Sequence, residues 1–167
     1  MYFNASKQLF AHIDCDCFFA SCEMFRDPRL KNKCVCIGGD IIITANYKAR
    51  TYGVKVGTPI WEARKMIPER ELVMLPPDMN LYGKMSEKVA MYLGQWSNSI
   101  EQFSIDEYWI DVTGIAQYKG LSEHDFARFL QKEILQNIGI PVSIGISNTR
   151  LRAKILSEIE KPLGVCV

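Results

Sequence analysis

The 167-residue sequence predicts an α+β fold: a ferredoxin-like βαββαβ domain with a small α/β subdomain inserted after its first strand. Three observations predict it. With the segment from about residue 16 to 77 set aside, the hydrophobic patterns run strand, helix, strand, strand, helix, strand. The set-aside segment has its own β-rich pair and short helical stretches, and it ends at Pro76-Pro77, where the chain would cross between subdomains. Hydrophobic residues make up 48% of the chain, enough for a core, and no stretch approaches the roughly twenty apolar residues of a membrane span. The expected domains are therefore 1–15 with 77–167, and 16–76.

Leu9 to Asp14 is an apolar run ending in a carboxylate and reads as a buried strand. His12 lies in its middle, where a lone histidine is a packed core residue before it is a ligand. Phe18 to Phe25 follows as a short helix that stops before Asp27-Pro28, because the residue ahead of a proline is pushed out of the helical region. Cys34 to Ile37 and Ile41 to Ala45 flank Gly38-Gly39-Asp40, a hairpin signal in which glycine supplies the tight turn. Asn46 to Tyr52 is helix-compatible and ends at Gly53; Gly57-Thr58-Pro59 opens a helix through Met66, and Leu72 to Leu75 is a short strand.

Beyond the proline pair, Leu81, Met85, Val89, Tyr92, Leu93 and Trp96 recur at helical spacing and predict a long helix over about Met79 to Trp96. A hairpin comes next, Ile100 to Phe103 and Tyr108 to Val112, with Ser104-Ile105-Asp106-Glu107 between. A helix capped by Ser122 turns Phe126, Phe129, Leu130, Ile134 and Ile138 inward until Gly139 and Pro141 stop it. Val142 to Ser147 is the last strand and Arg150 to Glu160 the closing helix.

Composition excludes several classes. Met1 to Gln8 holds no apolar stretch before a small-residue cleavage site, so no secretory signal is read, the cytoplasm is the expected location and no membrane partner is expected. The six cysteines lack zinc-site spacing, and in a chain of this class they read as free thiols. Net charge is only +1, yet residues 17 to 75 hold ten Lys or Arg against six Asp or Glu, while 76 to 167 hold nine against eleven. The early segment is thus the more favourable for an anionic ligand.

Two strands that each end in carboxylate can build one cation site. In the ferredoxin-like topology the first and third strands are central neighbours, which allows Asp14 to approach the Asp106-Glu107 turn. Three such carboxylates suit magnesium, a hard ion held by a few acids together with substrate phosphates. Two ions about 3.5–4 Å apart could stabilise both the attacking and leaving oxygens of a phosphoryl displacement. A triphosphate also needs cations: Tyr47 and Arg50 lie three apart on one helical face, and Lys154 is a second candidate near the far end of the chain.

The runs His12 to Glu23 (HIDCDCFFASCE) and Ala45 to Val54 (ANYKARTYGV), then Ser104-Ile105-Asp106-Glu107-Tyr108, then Ser143 to Ser147 with Ala153-Lys154-Ile155 and Lys161-Pro162-Leu163-Gly164, appear in order. Together they resemble the motifs of Y-family, lesion-bypass DNA polymerases of the bacterial polymerase IV type. The resemblance implies a palm (1–15 and 77–167) with inserted fingers (16–76) and the template-directed transfer of a deoxynucleotide from its triphosphate to a primer 3′-hydroxyl. It implies Asp14, Asp106 and Glu107 as carboxylate ligands of two Mg2+ ions, with Mn2+ as a substitute and the Cys15 backbone carbonyl as an extra ligand. Thr44, Tyr47, Arg50 and Lys154 would contact the triphosphate, Phe18 would line the nucleotide site, and Phe19 would be the steric gate that rejects a 2′-hydroxyl.

The chain departs from the family in two ways. Tyr108 and Trp109 stand where the family more often has small-then-aromatic residues, and no thumb or little finger has a counterpart in these residues. Weak DNA binding is therefore expected unless a sliding clamp or a further chain supplies the grip. The competing expectation is a nucleotide- or partner-binding module, or half of a split polymerase. A nucleotide cyclase, to which Gly38-Gly39-Asp40 is partly similar, leaves Tyr47, Arg50 and the Phe18-Phe19 pair without a purpose.

Overall fold

The computed structural model describes residues 8–167. The signal-peptide reading of the N-terminus falls almost wholly on residues 1–7, outside the described ones. In chain order the elements are β1 (Phe10–Cys15), α1 (Phe18–Arg26), a 3-10 turn (Pro28–Asn32), β2 (Cys34–Gly38), β3 (Ile42–Ala45), α2 (Tyr47–Arg50), α3 (Ile60–Met66) and β4 (Leu72–Leu75). There follow α4 (Met79–Leu93), β5 (Ile100–Gln102), β6 (Glu107–Asp111), α5 (Ile115–Tyr118), α6 (Glu123–Ile138), β7 (Val142–Ser147), α7 (Arg150–Ile159) and β8 (Val165–Cys166). The chain forms two compact units: one comprises the residues up to Asp16 with Met85–Val167, the other Cys17–Lys84.

The first unit is built on a sheet of order β5-β6-β1-β7-β8. Among the first four of these strands every neighbouring pair is antiparallel, which is the ferredoxin-like arrangement expected. Strand β1 is central, and five of its six residues are buried, as its unbroken apolar run requires. Helix α7 lies against β7 at Gly145, where an added Cβ would come within 2.1 Å of the Ala153 carbonyl oxygen and 2.5 Å of the Ser157 amide nitrogen. Only glycine allows that approach. Ser122 caps α6 by accepting from the Asp125 amide, and Gly139 ends it in the left-handed region, both as read from sequence.

The inserted unit has a sheet of order β3-β2-β4, with β2 antiparallel to β3 and parallel to β4. Cys34, Cys36, Ile42, Ala45, Ala49, Val54, Ala63 and Ile67 form its core. The hairpin turn demands glycine: a Cβ on Gly38 would sit 2.1 Å from the Ile41 carbonyl oxygen. Asn46 fixes the start of α2, accepting from the Ala49 and Val35 amides and donating to the Lys33 carbonyl. Within this unit the Phe19 ring stacks on Tyr82 at 4.3 Å between centroids, and the Tyr82 hydroxyl donates to the buried Glu23 carboxylate at 2.9 Å. Those contacts carry the compact division to Lys84, inside α4, beyond the Pro76-Pro77 crossing.

Several elements differ from expectation. Helix α4 stops at Leu93 because Gly94 follows, and the chain closes through i→i+3 turns at Gln95 and Trp96. Thr58 does not cap α3; its hydroxyl accepts from the Lys55 amide, and Pro59 holds the cap position. The 3-10 turn, α5 and β8 are each too short to leave a hydrophobic period. Each of the six cysteines is a thiol outside any disulfide, as expected. Among the described residues no helix is long and apolar enough to cross a membrane.

Candidate active site

The carboxylates of the ferredoxin-like unit are brought together by strand register. Asp14 pairs directly with Glu107 across β1 and β6, and with Ser143 across β1 and β7. Side chains two apart share a sheet face, so His12 joins Asp14 there. Among the described residues, one ligand atom each from His12, Asp14 and Glu107 lie within 4.8 Å of one another. Asp106 is not in that group. It precedes β6, in the turn, and its Oδ1 accepts from the Ser104 hydroxyl at 2.7 Å, while Glu107 Oε2 lies 3.2 Å from the same oxygen. One hydroxyl proton therefore serves both acids, a role for Ser104 that sequence reasoning did not assign. Cys15 ends β1, its amide donating to the Asp106 carbonyl at 3.0 Å, which ties the strand end to the acidic turn.

Two lysines of the α7 region counter the acids. Lys154 Nζ pairs with Glu107 Oε1 and sits 5.0 Å from the Phe103 ring centroid. Lys161 Nζ lies 2.7 Å from Asp14 Oδ2 and 2.8 Å from Glu158. Sequence reasoning found Lys154 and missed Lys161, which lies beyond the end of α7, where helical spacing gives no signal. Burial pushes the Asp14 carboxyl up to about 7, against the pull of Lys161. Burial likewise opposes the charge of Lys161, but its hydrogen bonds to Asp14 and Glu158 hold it above the ordinary lysine range. Burying the Asp14 carboxylate costs more than the single ammonium returns, which leaves the acid short of positive charge.

His12 is fully buried, as a packed histidine should be. Its Nδ1 is 2.8 Å from the Ser157 hydroxyl and its Nε2 is 3.5 Å from Glu107 Oε1. Burial first, then Lys154, lowers its pKa to about 4. Asp16, two residues beyond Asp14, has a structural part: Ser143 Oγ donates to it at 2.9 Å and the Leu163 amide at 2.8 Å, pinning β7 and the C-terminal segment.

In the inserted unit, Tyr47 and Arg50 share a face of α2, with the guanidinium 4.6 Å from the Tyr47 ring centroid. Arg50 Nε donates to the Ala45 carbonyl at 2.9 Å, and the residue stays exposed. Thr44 is half-buried on β3, Phe18 is core and Phe19 half-buried over Tyr82. Lys48, between Tyr47 and Arg50, turns instead to Glu71 at 3.0 Å.

An antiparallel ferredoxin-like sheet with paired acids on its central strands, carrying an inserted α/β unit, defines the class: a palm-and-fingers fold. The chain belongs to the impB/mucB/samB family, whose model matches residues 13–158. It is 36% identical over 162 residues to DNA polymerase IV 1 of Halalkalibacterium halodurans, covering 93% of this chain and 38% of that protein. It is 40% identical over 165 residues to DNA polymerase IV of Nitrosopumilus maritimus, covering 93% and 45%. The insertion ternary complex of Dbh DNA polymerase superposes with a TM-score of 0.85 at 30% identity, covering 95% of this chain and 48% of that one. DinB from Sulfolobus solfataricus gives 0.83 at 30% identity, covering 95% and 48%. The resemblance to Y-family polymerases holds, and the chain spans less than half the length of these relatives.

Proposed function

We propose that these residues form the catalytic palm and fingers of a translesion DNA polymerase, which transfers a deoxynucleotide from its triphosphate to the 3′-hydroxyl of a primer on template DNA. The observation that carries the reading is the register that sets Asp14 opposite Glu107, each acid holding a lysine ammonium. A buried and a half-buried acid that each hold a cation fit a divalent ion, and two Mg2+, or Mn2+ in their place, would be held by Asp14, Asp106, Glu107 and the Cys15 carbonyl. Bound there, such ions would lower the pKa of the primer hydroxyl and offset charge on the leaving diphosphate. Ser104 orients the two turn acids for this task through its shared proton.

Tyr47, Arg50, Lys154 and Lys161 would take the negative charge of the triphosphate, with Thr44 as a lesser contact, and Phe19, braced by Tyr82, would meet the sugar and exclude a 2′-hydroxyl. Phe18 serves as packing beneath that ring. A sliding clamp or further chain is proposed as the source of additional DNA grip, because the 167 residues carry a net charge of only +1. DNA as substrate accords with a cytoplasmic location.

Primer extension at low salt with Mg2+ and all four deoxynucleotides is the test, with Asp106→Ala and Asp14→Asn alongside. Both variants should lose at least about a hundredfold in rate, as when a group that stabilises developing charge is removed. Equal activity in wild type and Asp106→Ala would sink the metal assignment. A second reading, a nucleotide-binding module without turnover, is favoured by the pairing of both acids with lysine. It predicts saturable deoxynucleotide binding with no primer extension at any salt.

A further inference from the structure

The acids alone do not account for the environment of His12. Its ring is fully buried, and among the described residues Nε2 has no hydrogen-bond partner while lying 3.5 Å from Glu107 Oε1. The other side of the ring decides which nitrogen carries the proton. Ser157 Oγ lies 2.8 Å both from Nδ1 and from the Lys154 carbonyl, which can only accept; with its one hydrogen given to that carbonyl, the hydroxyl is an acceptor toward His12. Nδ1 therefore donates to it, and a neutral imidazole with its proton on Nδ1 presents a bare lone pair at Nε2. A buried lone pair aimed at a carboxylate is repelled by it and has nothing to accept from. A cation shared between nitrogen and carboxylate relieves both problems. The separation fits: two ligand atoms each about 2.1–2.2 Å from one first-row ion stand roughly 3–3.5 Å apart when adjacent in its shell.

We infer that His12 Nε2 is a ligand of one cation at this site, together with Glu107 and Asp14, which makes it a mixed nitrogen–oxygen site that takes Mn2+ in preference to Mg2+. The inference rests on the proposed carboxylate site and adds a nitrogen to it. Magnesium is held by oxygen, whereas first-row ions accept imidazole. The Ser157 bond to Nδ1 would be the outer support that metal-bound histidines commonly have. The Lys154 ammonium would leave Glu107 when the ion arrives.

The probe is Mn2+ added to the 167-residue protein, followed by electron spin resonance with echo modulation to detect nitrogen coupling. The chain has two histidines, and the second, His124, is exposed at the start of α6. The expected result is a bound Mn2+ with imidazole nitrogen coupling that survives His124→Asn and disappears in His12→Asn. The Mn2+ to Mg2+ affinity ratio in His12→Asn should fall by at least about tenfold, the smallest loss typical even for supporting residues of metal ligands. Histidine labelled with 15N in His124→Asn decides the matter without altering the buried site, should His12→Asn fail to fold. Mn2+ bound without nitrogen coupling in the wild type overturns the inference and leaves the carboxylate site standing. Absence of any bound Mn2+ at millimolar concentration overturns both.

Discussion

At the residue scale, neighbouring acids on one short stretch have different fates. Asp14 faces Glu107 across the sheet and pairs with Lys161 beyond α7, while Asp16 is consumed by Ser143 and the Leu163 amide. Sequence shows both as acids near a strand end; their partners lie more than ninety positions away. The pairing of Asp14 with the Asp106-Glu107 turn was legible, because topology allows the two strand ends to meet. The separation of Asp106 from the tight group was not, since it depends on where the turn ends and β6 begins. Gly145 is the most exacting single position, because the atoms facing it are α7 backbone that cannot swing away. Gly145→Ala should destabilise the protein by at least about 2 kcal/mol through overpacking, read as a lower urea midpoint at unchanged slope.

At the element scale, the helices that place the site depend on caps. Ser122→Ala removes one side-chain acceptor from the Asp125 amide and should cost about 1 kcal/mol. Asn46→Ala should cost more, about 2–3 kcal/mol, because the same side chain also satisfies the Val35 amide and the Lys33 carbonyl. Urea unfolding of the two variants side by side checks the order; equal losses would mean that water replaces the Asn46 contacts at no cost. Caps, prolines and glycines made most elements readable, and β4 and β7 have the expected bounds. The 3-10 turn, α5 and β8 were not readable, because elements of two to five residues are decided by what they pack against.

At the scale of the whole molecule, the chain is two compact units with separate cores and separate sets of candidate ligands. Electrostatics sets what such a chain can do with DNA. With a net charge of +1, the 167-residue polypeptide should show primer extension that falls by more than about tenfold between 50 and 200 mM salt, the loss expected for as few as two phosphate contacts. Rates measured across that salt range check it, and a flat profile would show that phosphate contacts do not limit the reaction. By itself the sequence determined the α+β class, the inserted unit, the family and the residue types that carry charge, because periodicity, turn chemistry and ordered motifs are local. Only the tertiary structure decided that Asp14 stands opposite Glu107, that Lys161 joins Lys154 over the acids, and that His12 turns a bare nitrogen toward them. Those facts follow from strand register and from the close seat of α7 at Gly145, and both depend on contacts between residues far apart in the chain.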